Sequence, residues 1–170
     1  MTKKLLFIVL IGLSAYPVLS QGSEQTSTTT SQKNPQKAKR EITQADALAV
    51  ALKFINGYVA ACNASTNETE WIKNNSACTP AFKHKLSELI DKAFEEDPEY
   101  GLGFDPILNA QDYPEEGFEV DRYDLQAGYA VVRGKAEWKA MRITVKLIRK
   151  DGKWYIDGCG IINIPKNRQS

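Results

Sequence analysis

Histidine is nearly absent, cysteine is scarce, and no apolar run longer than six residues follows the first thirteen. His84 is the single imidazole, and none of the three cysteines belongs to a C-x-x-C pair, so no zinc site and no other metal centre is expected. A hydrolase built on Ser–His or Cys–His pairing would need His84 in a cleft. Its neighbours Lys83 and Lys85, and its place on a polar helix face, mark it instead as a surface residue. The net charge is only +1, without the concentrated basic footprint of a duplex binder, so nucleic acid is not an expected partner. No cofactor is expected either.

What is present begins with an export signal over residues 1–20. Lys3 and Lys4 form its positive start, Leu5–Leu13 its short apolar run, and Val18 and Ser20 the small-residue cleavage pattern, which places the mature start at Gln21. No cysteine lies near that point for lipid attachment, and no later segment is expected to span a membrane; the expected location is periplasmic or secreted. Residues 21–40 are rich in Ser, Thr, Gln and Lys, bury too little to offset ordering, and read as a disordered linker. Residues 41–170 form a single domain. Three thiols in an oxidising compartment invite one disulfide; Cys62 with Cys78 is the favoured pair, because both fall at helix ends joined by a short loop.

A first helix is expected from Thr43, with Asp46 completing a capping box and Leu48, Leu52, Ile55, Val59 and Cys62 at helical spacing beside Ala45 and Ala49. Asn63–Asn75 is polar and turn-rich, apart from Trp71 and Ile72. Thr79-Pro80 signals the start of a second helix, with Phe82, Leu86, Leu89, Ile90 and Ala93 inward and His84, Glu88, Asp91 and Glu95 outward; Asp97-Pro98 ends it. Strands follow at Phe118–Gln126, Tyr129–Trp138, Met141–Leu147 and Trp154–Ile164, with Asp151-Gly152 as a hairpin turn. Two helices followed by a four-stranded meander predict an α+β domain with the helices packed on the apolar face of a mainly antiparallel sheet. Strong curvature would turn that sheet into a cone with an open mouth.

The stretch Asp105–Pro114 reads as a structured connector. Ile107, Leu108 and Tyr113 anchor it, while Asp105, Asn109, Gln111 and Asp112 supply hydrogen-bonding groups. Two readings stay open. Asp105 and Asp112 cap backbone amides beside Pro106 and Pro114 while Gln111 bridges loop carbonyls, or the three converge to hold a polar ligand.

The D-P-x-L-x-A-Q-D pattern at Asp105–Asp112, the closing G-K-W-Y-I at Gly152–Ile156 and the order of elements resemble the secreted bacterial proteins of domain of unknown function family 3828. That family belongs to the nuclear transport factor 2-like, or cystatin-like, superfamily. The resemblance covers residues 42–164 and implies a cone-like fold and an exported location, but no catalytic residue. In a cone of that shape, Trp71, Asp105, Gln111, Asp112 and Tyr155 are the ligand-contact candidates, with apolar enclosure by the first helix and the sheet. Ketosteroid isomerase, of the same superfamily, works with Asp and Tyr. Asp105, Asp112 and Asp157 with Tyr113, Tyr129 and Tyr155 are residue types that such an isomerase or a hydrolase would use.

Charge is segregated: residues 133–153 hold eight basic groups against Glu137 and Asp151, and residues 88–124 hold thirteen acids against Lys92 and Arg122. Arg133, Lys135, Arg142 and Lys146 either neutralise neighbouring acids or form a basic sheet face for an acidic envelope protein or a second copy of the chain. The expected role is therefore non-catalytic, the holding of a small ligand or an envelope partner. A small Asp/Tyr enzyme and a dimeric interaction module are the alternatives.

Overall fold

The computed structural model describes residues 35–170; the export signal and most of the linker expected before the domain lie outside the described residues. Helix α1 (Pro35–Asn63) starts upstream of Thr43, so residues 35–40 belong to a helix and not to the linker expected there. Pro35 suits a first helical position, and Gln36, Lys37, Ala38, Lys39 and Arg40 are all good helix formers, which overrides the capping signal at Thr43. The face buried by α1 is centred on Ala47, Ala51, Phe54, Ile55, Tyr58 and Val59, with Leu48, Leu52 and Cys62 at its margin and Ala45 and Ala49 exposed. The stripe read from the sequence is thus rotated toward Phe54 and Tyr58. Thr43–Asn63 is long and apolar enough to cross a bilayer, but its apolar residues are those packed into the domain core.

A short helix, α2 (Glu68–Asn74), occupies the stretch expected to be turns. Asn67 caps it by accepting from the Glu70 amide at 2.9 Å. Helix α3 (Pro80–Glu96) follows, capped by Thr79, whose hydroxyl accepts from the Phe82 amide at 3.1 Å. Its inner face is the expected one, Phe82, Leu86 and Ala93 buried with Leu89 and Ile90 beside them; His84 lies outside, 3.2 Å from Glu88.

Strands β1 (Phe118–Asp124), β2 (Tyr129–Gly134), β3 (Arg142–Lys150) and β4 (Lys153–Cys159) form one antiparallel sheet in sequence order. The protein is α+β, with its helices on one face of that sheet. Strand β2 ends earlier than alternation implies. A Cβ on Gly134 would lie 2.6 Å from the Trp138 backbone, and Ala136–Trp138 turns as a 3-10 helix, which takes Lys135 off the strand. Irregularities at Val120/Arg122 and Lys146/Leu147 bend the sheet.

The inner face contributes Phe118, Ala130, Val132, Ile143, Val145, Leu147 and Ile156, all buried with the α1 stripe in one cluster. Each fully buried large aliphatic or aromatic side chain there stabilises by about 1.5–3 kcal/mol. Asn56 joins α1 to β1, accepting from the Phe118 amide at 2.7 Å and donating to its carbonyl at 3.1 Å. The other sheet edge is paired: the Thr79 amide donates to the Ile156 carbonyl at 2.9 Å, and the Ile156 amide to the Ala77 carbonyl at 2.8 Å. On the outer face the C-terminal segment folds back, so that Thr144 donates to the Arg168 carbonyl at 2.6 Å and the Arg168 guanidinium lies 4.4 Å from the Tyr129 ring centroid.

Candidate functional site

Between α1 and the sheet, side chains such as Phe54, Ile55, Val132 and Ile143 pack together as buried core. A cleft of about 410 Å³ opens instead between the helices and the connection from α3 to β1. Helix α3 gives one wall through Leu86, Ile90 and Phe94, spaced four residues apart on one face. Tyr58 of α1, and Glu68 and Thr69 at the start of α2, form the opposite wall, with residues 100–106 of the connection closing the end.

Asp105 organises this end. One carboxylate oxygen accepts from the Ile107 amide at 2.7 Å and from the Leu108 amide at 3.1 Å; the other accepts from the Tyr58 hydroxyl at 2.9 Å. Its local turn is closed by the Asp105 amide donating to the Ala110 carbonyl at 2.9 Å. The amide-capping role foreseen for Asp105 is therefore present, and so is a wall position in a cleft. The turn anchors Ile107 and Leu108, each 1% exposed, in the core. Gly160 permits this approach: at φ +61° it lies so close to the loop that a Cβ would sit 2.3 Å from the Pro106 carbonyl oxygen and 2.4 Å from that of Ile107.

Burial holds the Asp105 carboxyl above its ordinary value, against the Leu108 amide, the Tyr58 hydroxyl and the Ile107 amide, which favour the anion; Glu68 pushes it up further. Burial and then Asp105 raise Tyr58, so its hydroxyl stays protonated and donates. Cys62 is pushed up to about 12, first by burial and then by the negative field of Asp105 and Glu68, which leaves it a poor nucleophile.

The five ligand-contact candidates do not converge. Asp105 alone lines the cleft. Gln111 is exposed and bridges back to the Gly103 carbonyl at 3.0 Å, the structural role open to it in the sequence. Asp112 is exposed and lies outside the cleft. Trp71 packs behind the wall, its ring centroid 5.9 Å from those of both Tyr58 and Phe54. Tyr155 pairs with Ile148 and belongs to the sheet face opposite the helices.

The isomerase-type constellation is likewise dispersed. Asp157 accepts from Thr79 at 2.8 Å and pairs with Lys146, and Tyr129 lies under Arg168. The tyrosine that meets Asp105 is Tyr58, which sequence reasoning missed. Its only signal is a polar-tipped aromatic on the stripe of α1, one turn from both Ile55 and Cys62.

The expected bridge between Cys62 and Cys78 is not formed: both are free, as is Cys159. Cys62 lies beside Tyr58 and in the field of Asp105, whereas Cys78 is buried and its backbone is bridged to Ile156 of β4.

Three of the four basic residues of the sheet face take the neutralising alternative. Arg133 and Arg142 sit opposite each other, but Arg133 binds Glu119 at 2.8 Å, Arg142 binds Asp121 at 3.1 Å and Lys146 binds Asp157 at 2.8 Å. The Asp121 carboxyl is held below its ordinary value, chiefly by the Arg142 hydrogen bond, and the charges of Arg142, Arg122 and Arg133 add to it against the effect of burial.

A wider hollow of about 650 Å³ lies between the start of α1 and the turn joining β1 to β2. Several of its polar groups are taken within the protein: Tyr123 by Gln44, Trp154 by the Thr43 carbonyl at 3.0 Å, and Asp124 by the Ala127 amide at 3.2 Å.

No family model matches the sequence, and no curated protein matches it. Among solved structures, the crystal structure of a protein of unknown function from Bacteroides thetaiotaomicron VPI-5482 is similar, at 20% identity, with 74% of this chain and 98% of that one covered and a TM-score of 0.49.

Proposed function

We propose that this chain is an exported, non-catalytic protein that holds a small molecule in the cleft bounded by α1, α2, α3 and the Tyr100–Pro106 connection. The lineage proposed for it is the one its sequence resembles, domain of unknown function family 3828 among the nuclear transport factor 2-like proteins. The observation that carries the binding reading is the Tyr58–Asp105 pair, bonded at 2.9 Å on the wall of a cleft otherwise lined largely by apolar and aromatic side chains. Few, fixed polar groups in a concave apolar setting are the usual anatomy of a small-molecule site.

The same pair gives an Asp/Tyr-dependent isomerase or hydrolase as the second reading. Binding is preferred because both Asp105 oxygens are committed, one to two backbone amides and the other to Tyr58, which suits a fixed anchor better than a mobile base. Docking through the outer sheet face, as a dimer or with an envelope protein, draws less support, since Arg133, Arg142 and Lys146 are each ion-paired within the chain. The test is a thermal-shift screen of small molecules against the wild type and Thr69→Trp, which fills the cleft from its half-buried wall. Compounds that stabilise only the wild type are expected; a screen in which every hit acts equally on both proteins rejects the cleft as the site.

A further inference from the structure

The ligand-binding reading fixes a place but not a chemistry, and the cleft walls carry information about the chemistry. They include two carboxylates, Glu68 and Asp105, and four aromatic rings, Tyr58, Phe94, Tyr100 and Phe104, and no Lys, Arg or His. Glu68 makes no ion pair or hydrogen bond among the described residues, whereas Glu70, Glu88 and Asp121 are each matched by a cation. Tyr58 is buried, but the other three rings are open to solvent: Phe94 is 51% exposed, Tyr100 70% and Phe104 37%. Phe94 is held by Gly101, whose missing Cβ would lie 3.1 Å from the ring.

Aromatic faces attract a cation through their quadrupole, and the attraction grows as the cation loses water. Nearby carboxylates add a Coulomb term that is large in a partly enclosed site. A neutral ligand would use the rings but gain no charge–charge attraction from Glu68, and an anion would be repelled by both acids. We infer, resting on the binding reading above, that the cleft takes a small organic ammonium: a primary or quaternary amine on an apolar body, the nitrogen near Glu68 and Asp105 and the body against α3. The negative field in the cleft, which also pushes Tyr58 and Cys62 upward, agrees with this choice.

The experiment compares three soluble probes of similar shape, benzyltrimethylammonium, benzyl alcohol and phenylacetate, by titration calorimetry at neutral pH and low salt, with NMR shift mapping on the same samples. The ammonium is expected to bind about tenfold more tightly than the alcohol, and phenylacetate more weakly than either. Glu68→Gln, an exposed change that leaves the core intact, is expected to weaken the ammonium about fivefold and leave the alcohol unmoved. Phe94→Ala is expected to weaken the ammonium, and added salt to do the same in the wild type. Equal or tighter binding of the alcohol or phenylacetate, or an ammonium affinity untouched by Glu68→Gln, overturns the choice of ligand class while leaving the cleft as a binding site. Absence of heat and of cleft shifts with all three probes overturns the site itself.

Discussion

The outer face of the sheet and the cleft beside α3 both concentrate charge, but they dispose of it differently. On the sheet, Glu119, Asp121 and Asp157 each find a cation from another strand within 3.1 Å. In the cleft, among the described residues, Asp105 is satisfied only by neutral donors, and Glu68 by none. Charges spaced to match across a sheet register cancel locally and leave little to recruit a partner. Charges gathered by a loop and a helix start, with no cation in reach, leave a field that something else can answer. A run of basic residues in a sequence is therefore a weaker pointer to a site than a few acids that the fold leaves uncompensated.

The contrast can be broken most severely at Gly160. Gly160→Ala would drive a methyl group into the Pro106 and Ile107 carbonyls from a left-handed backbone position, and is expected to cost about 3 kcal/mol in urea unfolding. The cleft end should loosen with it, since the same loop carries Asp105. Asp105→Ala is the next largest. It orphans the Ile107 and Leu108 amides and the Tyr58 hydroxyl, and should cost about 2 kcal/mol, while Asp105→Asn retains an acceptor for the turn and costs less.

The two aspartates should also give opposite pH dependences, measurable as urea midpoints across the acid range. Asp105 has a folded value raised above 3.8, so its contribution is complete below 3.8 and is lost as pH rises through the raised value; Asp105→Asn should abolish that decline. Asp121 has a folded value lowered below 3.8, so its contribution is present above 3.8 and is lost as pH falls through the lowered value. The smallest effect is expected for Asp121→Asn at neutral pH, a modest loss that shrinks further in high salt, because its partners Arg133 and Arg142 remain in contact with solvent.

The residues that could be read in advance are those whose signals are local. Thr79-Pro80 gave the start of α3, its apolar spacing gave its inner face, and Asp151-Gly152 gave the β3–β4 turn, because a cap, a stripe and a turn each need only a few neighbouring residues. The α+β class followed from the order of such signals. Helix α2 also carried one, Asn67 with Glu70 three residues on, overlooked among polar turn formers.

What could not be read was long-range. Tyr58 and Asp105 are 47 residues apart, and nothing beside either names the other. The end of β2 was hidden because alternation runs on through Ala136 and Trp138, and only the contact of Gly134 with the Trp138 backbone forces the chain to turn. The neutral outer face was hidden for the same reason: its ion pairs depend on strand register, which residue types alone leave open.

The treatment of the sheet margins bears on how any polypeptide could engage this domain. The backbone of β4 at Ile156 is already occupied by Ala77 and Thr79, while β1 is tied at Phe118 by Asn56 and broken by its bulge near Asp121. An extended peptide has no clean row of amides to zip onto, so recognition by strand addition is disfavoured at either border, and contact must be made through side chains.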